Sequence, residues 1–245
     1  MAMAMQFMMS RMEQAQEETR VRMTEELLSY KEYKVPIFLK TSDRVLWANK
    51  FDLAKKSGYF RKLFRSNDYR ESNGAVDLPE TDEHPFRRFL VERVLRGLKY
   101  GAAAMDFTGL SLKYKLELLR MVKLLKIKEF VKILEVDLFS SVMMNVSFIS
   151  SETVTNIDLI LSTTLELGLG EVSEEISNIV GIHLGDIVEI IEEEDIDLSD
   201  PVVIALASTG TGGAEEIDKF RLINHFKDTT SAENDIPEID LNSIE

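Results

Sequence analysis

Two hydrophobic periods run along this chain: a brief one of two residues near the start, and one of three to four over most of the rest. Residues 13–30 contain neither Gly nor Pro, favour Glu, Gln, Arg, Met and Leu, and set Met23, Leu27 and Tyr30 on one helical face. The β-rich run Val35-Pro-Ile-Phe-Leu, the polar turn Thr41-Ser-Asp-Arg and the run Val45-Leu-Trp-Ala then predict a hairpin. Pro36 is expected at a strand end or a sheet edge, where a missing N–H does no harm. Lys50 to Phe64 reads as helix broken at Gly58, Ser66 to Gly74 as a polar loop, and Ala75-Val-Asp-Leu as a third short strand before Pro79. Pro85 is expected to open a helix with Phe86, Phe89, Leu90, Val94 and Leu98 inward and Arg87, Arg88, Arg93 and Arg96 outward. A loop from Gly101 to Gly109 follows. Leu116, Leu119, Val122 and Leu125, then Ile127, Phe130 and Leu134, predict two consecutive amphipathic helices between Leu112 and Leu138.

No strand pattern appears in the second half. Thr155-Asn-Ile-Asp158 has the form of a capping box opening a helix that stops at Gly168 and Gly170. Ser173 reads as the cap of the next, whose stripe is Ile176, Ile179, Val180, Leu184, Ile187, Val188 and Ile191, with a split expected at Gly181 or Gly185. Asp200 and Pro201 read as the cap and first residue of a short helix ending at Ala207. After a loop at Gly210–Gly213, Glu215 to Lys227 reads as a last helix with Ile217, Phe220, Ile223 and Phe226 inward, and an acidic tail follows Asp228. The pattern thus predicts a small mixed sheet flanked by helices, followed by an all-helical unit.

Length and charge sharpen this picture. A chain of 245 residues allows one large domain or two small ones. Its net charge of -14 argues against a nucleic-acid binder. Residues 1–150 hold 26 basic and 20 acidic side chains (+6), whereas residues 151–245 hold 3 and 23 (−20). A change that sharp suggests two units with different surfaces meeting near Ser150–Glu152. The longest uncharged stretches, Leu138–Ser151 and Pro201–Ala214, have 14 residues each, short of the roughly 18 that a membrane-spanning helix needs. The opening MAMAMQFMMSR lacks the basic region of a secretory signal, so a cytoplasmic or nuclear protein without membrane contact is expected.

Candidate chemistry is sparse. The absence of cysteine removes disulfides, thiolate metal sites and cysteine nucleophiles. His84, His183 and His225 stand far apart, and no Gly-x-Ser-x-Gly or His-Glu-x-x-His occurs. The Gly210–Gly213 loop lacks the Lys-Ser/Thr of a P-loop, and Glu192–Asp200 lacks both the turning glycine and the closing glutamate of a calcium loop. Lys55, Lys56, Arg61, Lys62 and Arg65, and the comb Lys113, Lys115, Arg120, Lys123, Lys126, Lys128 and Lys132, read as solvated helix faces. No catalytic residue, cofactor or metal is assigned.

The string VLWANKFDLAKKSGYFRKLF from Val45, with Leu53, Ser57, Tyr59, Phe60 and Phe64, resembles the strand and first helix pair of the BTB/POZ domain. Asp68-Tyr-Arg-Glu71 resembles that family's following loop and Val76-Asp-Leu78 its next strand. Phe86, Gly97 and Leu118–Phe130 match its later helices, Gly97 as the glycine ending one of them. Departures are Asn49-Lys50 for a His-Lys pair, Lys34 for an Asp on the first strand, Leu95-Arg96-Gly97 for Tyr-Thr-Gly, and Gly58 for a Pro. Residues 139–227, through DLILSTTLELGLGEVSEEI and LSDPVVIALAS, look similar to the BACK domain that follows BTB in many cullin adaptors.

The resemblance implies an α+β BTB/POZ domain over residues 31–138 and an all-α BACK-like domain over 139–227. A helical segment precedes them at 1–30, and an acidic tail follows at 228–245. It implies a protein–protein interaction adaptor and no enzyme: a substrate adaptor or scaffold of a cullin-3 ubiquitin ligase, with its target unidentified. The alternative is a self-associating regulatory or assembly module without cullin contact. Tyr69, Glu71 and Phe64 are the implied cullin-binding residues, and Met23, Leu27 and Tyr30 the implied homodimer interface.

Overall fold

The computed structural model describes residues 26, 29–30, 33–40, 42–67, 69, 74–82, 84–146, 148–209 and 216–230. Met23, Leu27, Glu71, residues 210–215 and the chain after 230 lie outside them. Among the described residues the protein is mostly helical, with one three-stranded mixed sheet. It divides into two compact units, Met1–Lys132 and Ile133–Glu245. The sequence reading set its domain limit after residue 138.

In the first unit, β1 (Lys34–Leu39) pairs antiparallel with β2 (Ser42–Asn49) and parallel with the two-residue β3 (Val76–Asp77), in the order β2-β1-β3. Alternation along β1 turns Val35, Ile37 and Leu39 into the core. Pro36 falls in this central strand and not at an edge, but β3 reaches only Ile37 and Phe38. Position 36 therefore keeps an open flank on which no ladder donor is needed.

Two short helices follow, α1 (Lys50–Lys56) and α2 (Gly58–Leu63). The Asn49 side chain caps α1, accepting from Phe51 N at 2.8 Å. The break between them is at Ser57, one residue before the glycine expected to cause it. The fully buried Ser57 hydroxyl accepts from Phe60 N at 3.2 Å and donates to Leu125 O at 2.6 Å, so it caps α2 and anchors it to the core.

Helix α3 (Arg88–Tyr100) starts three residues after Pro85, behind Arg87 in extended conformation, and the Phe86 N–H donates to the Glu80 carboxylate at 2.9 Å. Its buried face is Leu90, Val91, Val94 and Leu98, with Phe86 buried just ahead of it; Phe89 instead lies outside, edge-on to Tyr114 at 5.1 Å. A 3₁₀ turn at Ala102–Met105 occupies part of the expected loop and buries Met105. Helix α4 (Leu112–Leu124) is followed by α5 (Lys128–Asn145), within which the division between the units falls. Leu116, Leu119, Val122, Leu125, Ile127, Phe130 and Leu134 are all buried, as the period of three to four requires.

The second unit is helical throughout its described residues: α6 (Ser151–Glu166), α7 (Gly170–Ile182), α8 (Leu184–Glu194), α9 (Asp200–Ala207) and α10 (Glu216–Thr230). Ser150, and not the Thr155–Asp158 box, caps α6, its hydroxyl accepting from Thr153 N at 3.3 Å. Asp158 instead binds the N–H and hydroxyl of Ser199 at 2.9 and 2.8 Å and ties α6 to the start of α9, which begins at Asp200 behind Ser199. Ser173 lies inside α7, its buried hydroxyl donating to Thr164 Oγ1 at 3.0 Å. The split between α7 and α8 is at His183, and the stripe from Ile176 to Ile191 packs inward as expected, with Ile179 half-buried.

The last helix differs most from expectation. Ile217 and Phe220 point to solvent, Lys219 and Leu222 are buried, and Ile223 and Phe226 are half-buried. No helix among the described residues is long and apolar enough to cross a membrane.

Candidate partner-binding surface

Of the residues singled out for partner contact, Tyr30, Phe64 and Tyr69 meet where α1 and α2 converge with a helical turn that carries Asn67 and Tyr69, in the stretch expected to be a polar loop. Lys50, first residue of α1, is fixed at the junction of β2 and α1 by its N–H, which donates to Tyr33 O at 2.8 Å. Its ammonium lies 4.1 Å from the centre of the Tyr30 ring and 4.9 Å from those of Phe64 and Tyr69. Three aromatic faces thus surround one cation, each contact contributing about 0.5–1 kcal/mol at a partly exposed position. Burial pushes the Lys50 pKa down, and the Glu26 carboxylate pulls it back up.

Phe64 is the hub. Its ring stacks on Phe60 at 6.1 Å and meets Tyr30 and Tyr69 edge-on at 6.0 and 5.0 Å. It is only 5% exposed, so it supports Tyr69 and offers little surface of its own. Tyr69 is half-buried, one face against Phe64 and Lys50. Gly74, with φ of 79°, turns the chain beside its hydroxyl, and a Cβ at 74 would lie 3.5 Å from that oxygen. Tyr30 leans on its own unit through Phe64, while Met23, Leu27 and Glu71 fall outside the described residues.

Glu26 closes the cluster. It accepts from the Tyr30 hydroxyl at 2.8 Å and from Arg65 Nε at 2.8 Å, with a second, shorter contact to Arg65 Nη2. Burial first, and then the bond to this carboxylate, push the Tyr30 hydroxyl up to about 12. Its value in an unfolded chain is about 10, so the neutral ring stabilises the fold below pH 10 and loses that effect as pH rises through 12. The melting-temperature advantage of the parent over Tyr30→Phe is expected to be constant up to about pH 10 and to shrink between about 10 and 12. A difference unchanged across that window would dismiss the Tyr30–Glu26 bond.

The remaining candidates are engaged locally or lie on open surface. Arg61 bonds the carbonyls of Ala54 and Lys55 at 3.0 and 2.9 Å, capping α1, and Lys56 lies 3.6 Å from Glu129. Lys113, Lys126, Lys128 and Lys132 are exposed, while Lys115, Arg120 and Lys123 are half-buried. His84 is exposed, His183 sits between α7 and α8, and His225 lines a cleft of about 10 Å³ with Ile191, Asp197 and Leu222, room for about one water. Glu192–Glu194 form the last turn of α8. Among the described residues no three His, Asp or Glu side chains are grouped to hold a metal.

Lys50 is the site residue that sequence reasoning passed over. It stood only as half of the Asn49-Lys50 departure, and nothing local marks a lysine whose cage comes from three other segments. No family model matches this chain, and no curated protein matches it.

Proposed function

We propose that the protein is a protein–protein interaction adaptor of the BTB/POZ type with a BACK-like helical second unit, acting as a substrate adaptor or scaffold of a cullin-3 ubiquitin ligase in the cytoplasm or nucleus. It works in this reading by holding partners together, without catalysis of its own. The observation that carries the reading is the setting of Tyr69. Its ring is held half out of the Phe64 cluster, on a helical turn after the second short helix, between a hairpin and a third strand parallel to β1. A ring pre-placed by its own domain loses little entropy on entering a partner's pocket, and tyrosine is common among residues that dominate binding.

Purified cullin-3 N-terminal region, titrated against the full chain, tests this. Tyr69→Ala is expected to weaken binding by about 30-fold or more, the equivalent of roughly 2 kcal/mol. Because the ring also packs on Phe64, the same change is expected to lower stability by about 1 kcal/mol. Tyr69→Phe keeps that packing and serves as the folded control. The proposal fails if the parent does not bind, or if Tyr69→Ala binds as tightly as the parent.

A further inference from the structure

Helix α10 sits in its unit with its amphipathic pattern turned over. By period, Ile217, Phe220, Ile223 and Phe226 form one stripe, yet Ile217 and Phe220 are each 63% exposed and Lys219 is buried. Four contacts set this rotation. Lys219 Nζ donates to Thr209 O at 2.8 Å, just past the C-terminal end of α9 where carbonyls favour a cation. Asp218 abuts Gly185 of α8, where a Cβ would lie 3.2 Å from its Oδ2. Arg221 Nη2 bonds Glu192 Oε2 at 2.6 Å, and Leu222 fills the interior. With positions 218, 219, 221 and 222 held, residues 217 and 220, one turn apart, are left to face away from the unit. Ile182, also exposed, comes three residues before Gly185, at the same end of the α8–α10 pair.

Charge narrows what can cover that face. Residues 133–245 carry 25 Asp and Glu against 3 Lys and Arg, and of those three Lys219 and Arg221 are engaged within the unit. Glu216 stands beside the apolar pair on α10; Glu192 holds Arg221, and Glu189 acts on the same guanidinium. Anionic membranes and nucleic acids are repelled by such a surface, and so is the same unit of a second copy. We propose that Ile217 and Phe220 form a docking surface for a basic amphipathic segment of a partner protein. Its apolar side chains cover the two residues, and its Lys and Arg meet the surrounding glutamates. The proposal stands independently of cullin binding.

The test uses the full chain and three labelled peptides followed by fluorescence anisotropy at fixed salt. One is an amphipathic helix of Leu and Lys, the second has each Lys replaced by Glu, and the third has each Leu replaced by Ser. The Leu/Lys peptide is expected to bind best, and Ile217→Ser/Phe220→Ser to weaken it by about tenfold or more. Val136→Ser, at an exposed position on α5, should leave its affinity unchanged. If the double variant does not fold, Phe220→Ala replaces it, with a smaller loss expected. Equal binding by the apolar-deficient variants, or equal binding of the Leu/Glu peptide, overturns the proposal. So does a self-associated parent that the double substitution turns into monomer, since a second copy is then the occupant.

Discussion

Replacing Gly97 by alanine is expected to lower the stability of the first unit by about 2 kcal/mol, even though alanine is the better helix former by about 1 kcal/mol. Gly97 does not end α3; it lies buried inside it. A Cβ there would come within 2.8 Å of Phe130 Cζ, 3.0 Å of Cε2 and 3.1 Å of Met105 Cβ. Phe130 and Met105 are both fully buried, so neither can swing into solvent, and overpacking of this kind costs about 1–3 kcal/mol. A contact as short as 2.8 Å belongs at the upper end, and the steric effect outweighs the gain in propensity. Shortening the opposing ring should relieve it: in a Phe130→Leu background the same alanine should be harmless or stabilising, a coupling that a double-mutant cycle measures. Chemical denaturation showing Gly97→Ala as stable as the parent would refute the close approach of α3 to Phe130.

Glu80→Ala should cost more, about 3 kcal/mol, although it removes no large side chain. Glu80 is 9% exposed, and each of its oxygens serves a different segment: Oε1 accepts from Lys40 N at 3.0 Å and Oε2 from Phe86 N at 2.9 Å. One carboxylate thereby fastens the end of β1 to the approach to α3. Both bonds have an ionised acceptor, which makes each stronger than a neutral pair. Glu80→Gln keeps one oxygen but turns an NH₂ group toward a backbone donor, so it should recover less than half of the loss. The comparison is made by urea unfolding of the three chains. If Glu80→Gln matches the parent, the two-segment clamp is not what stabilises this region.

Where sequence reading succeeded and where it failed has a physical cause. The stripes Leu116–Leu134 and Ile176–Ile191 were legible because their burial repeats at the helical period, with the half-buried Ile179 the exception. The hairpin was legible from alternation. The failures are places where a hydrogen bond overrode the pattern. Ser57 breaks α1 from α2 because its hydroxyl reaches Leu125, 68 positions away. Ser150 caps α6 because its hydroxyl serves Thr153, leaving Asp158 for Ser199. Ile217 and Phe220 face outward because Lys219 finds Thr209 O. The Lys50 cage was beyond reach for another reason: Tyr30, Phe64 and Tyr69 are brought around its ammonium only by the folded chain.

The parallel pairing of β1 with β3 bears on how the two units assemble in time. Ile37 meets Val76 across 39 positions, and the ladder so formed is only two residues long, Ile37–Val76 and Phe38–Asp77. A long loop must close before those few bonds give anything back, and the loop-closure entropy falls before the gain. The second unit asks for nothing comparable at its outset, since neighbouring helices such as α6 and α7 pack directly on one another. Topology therefore makes the helical unit the fast folder and the sheet-bearing unit the slow one. On a growing chain the slow unit is also the first to emerge, so β1, already paired with β2 on one side, keeps its other flank open until β3 is synthesised.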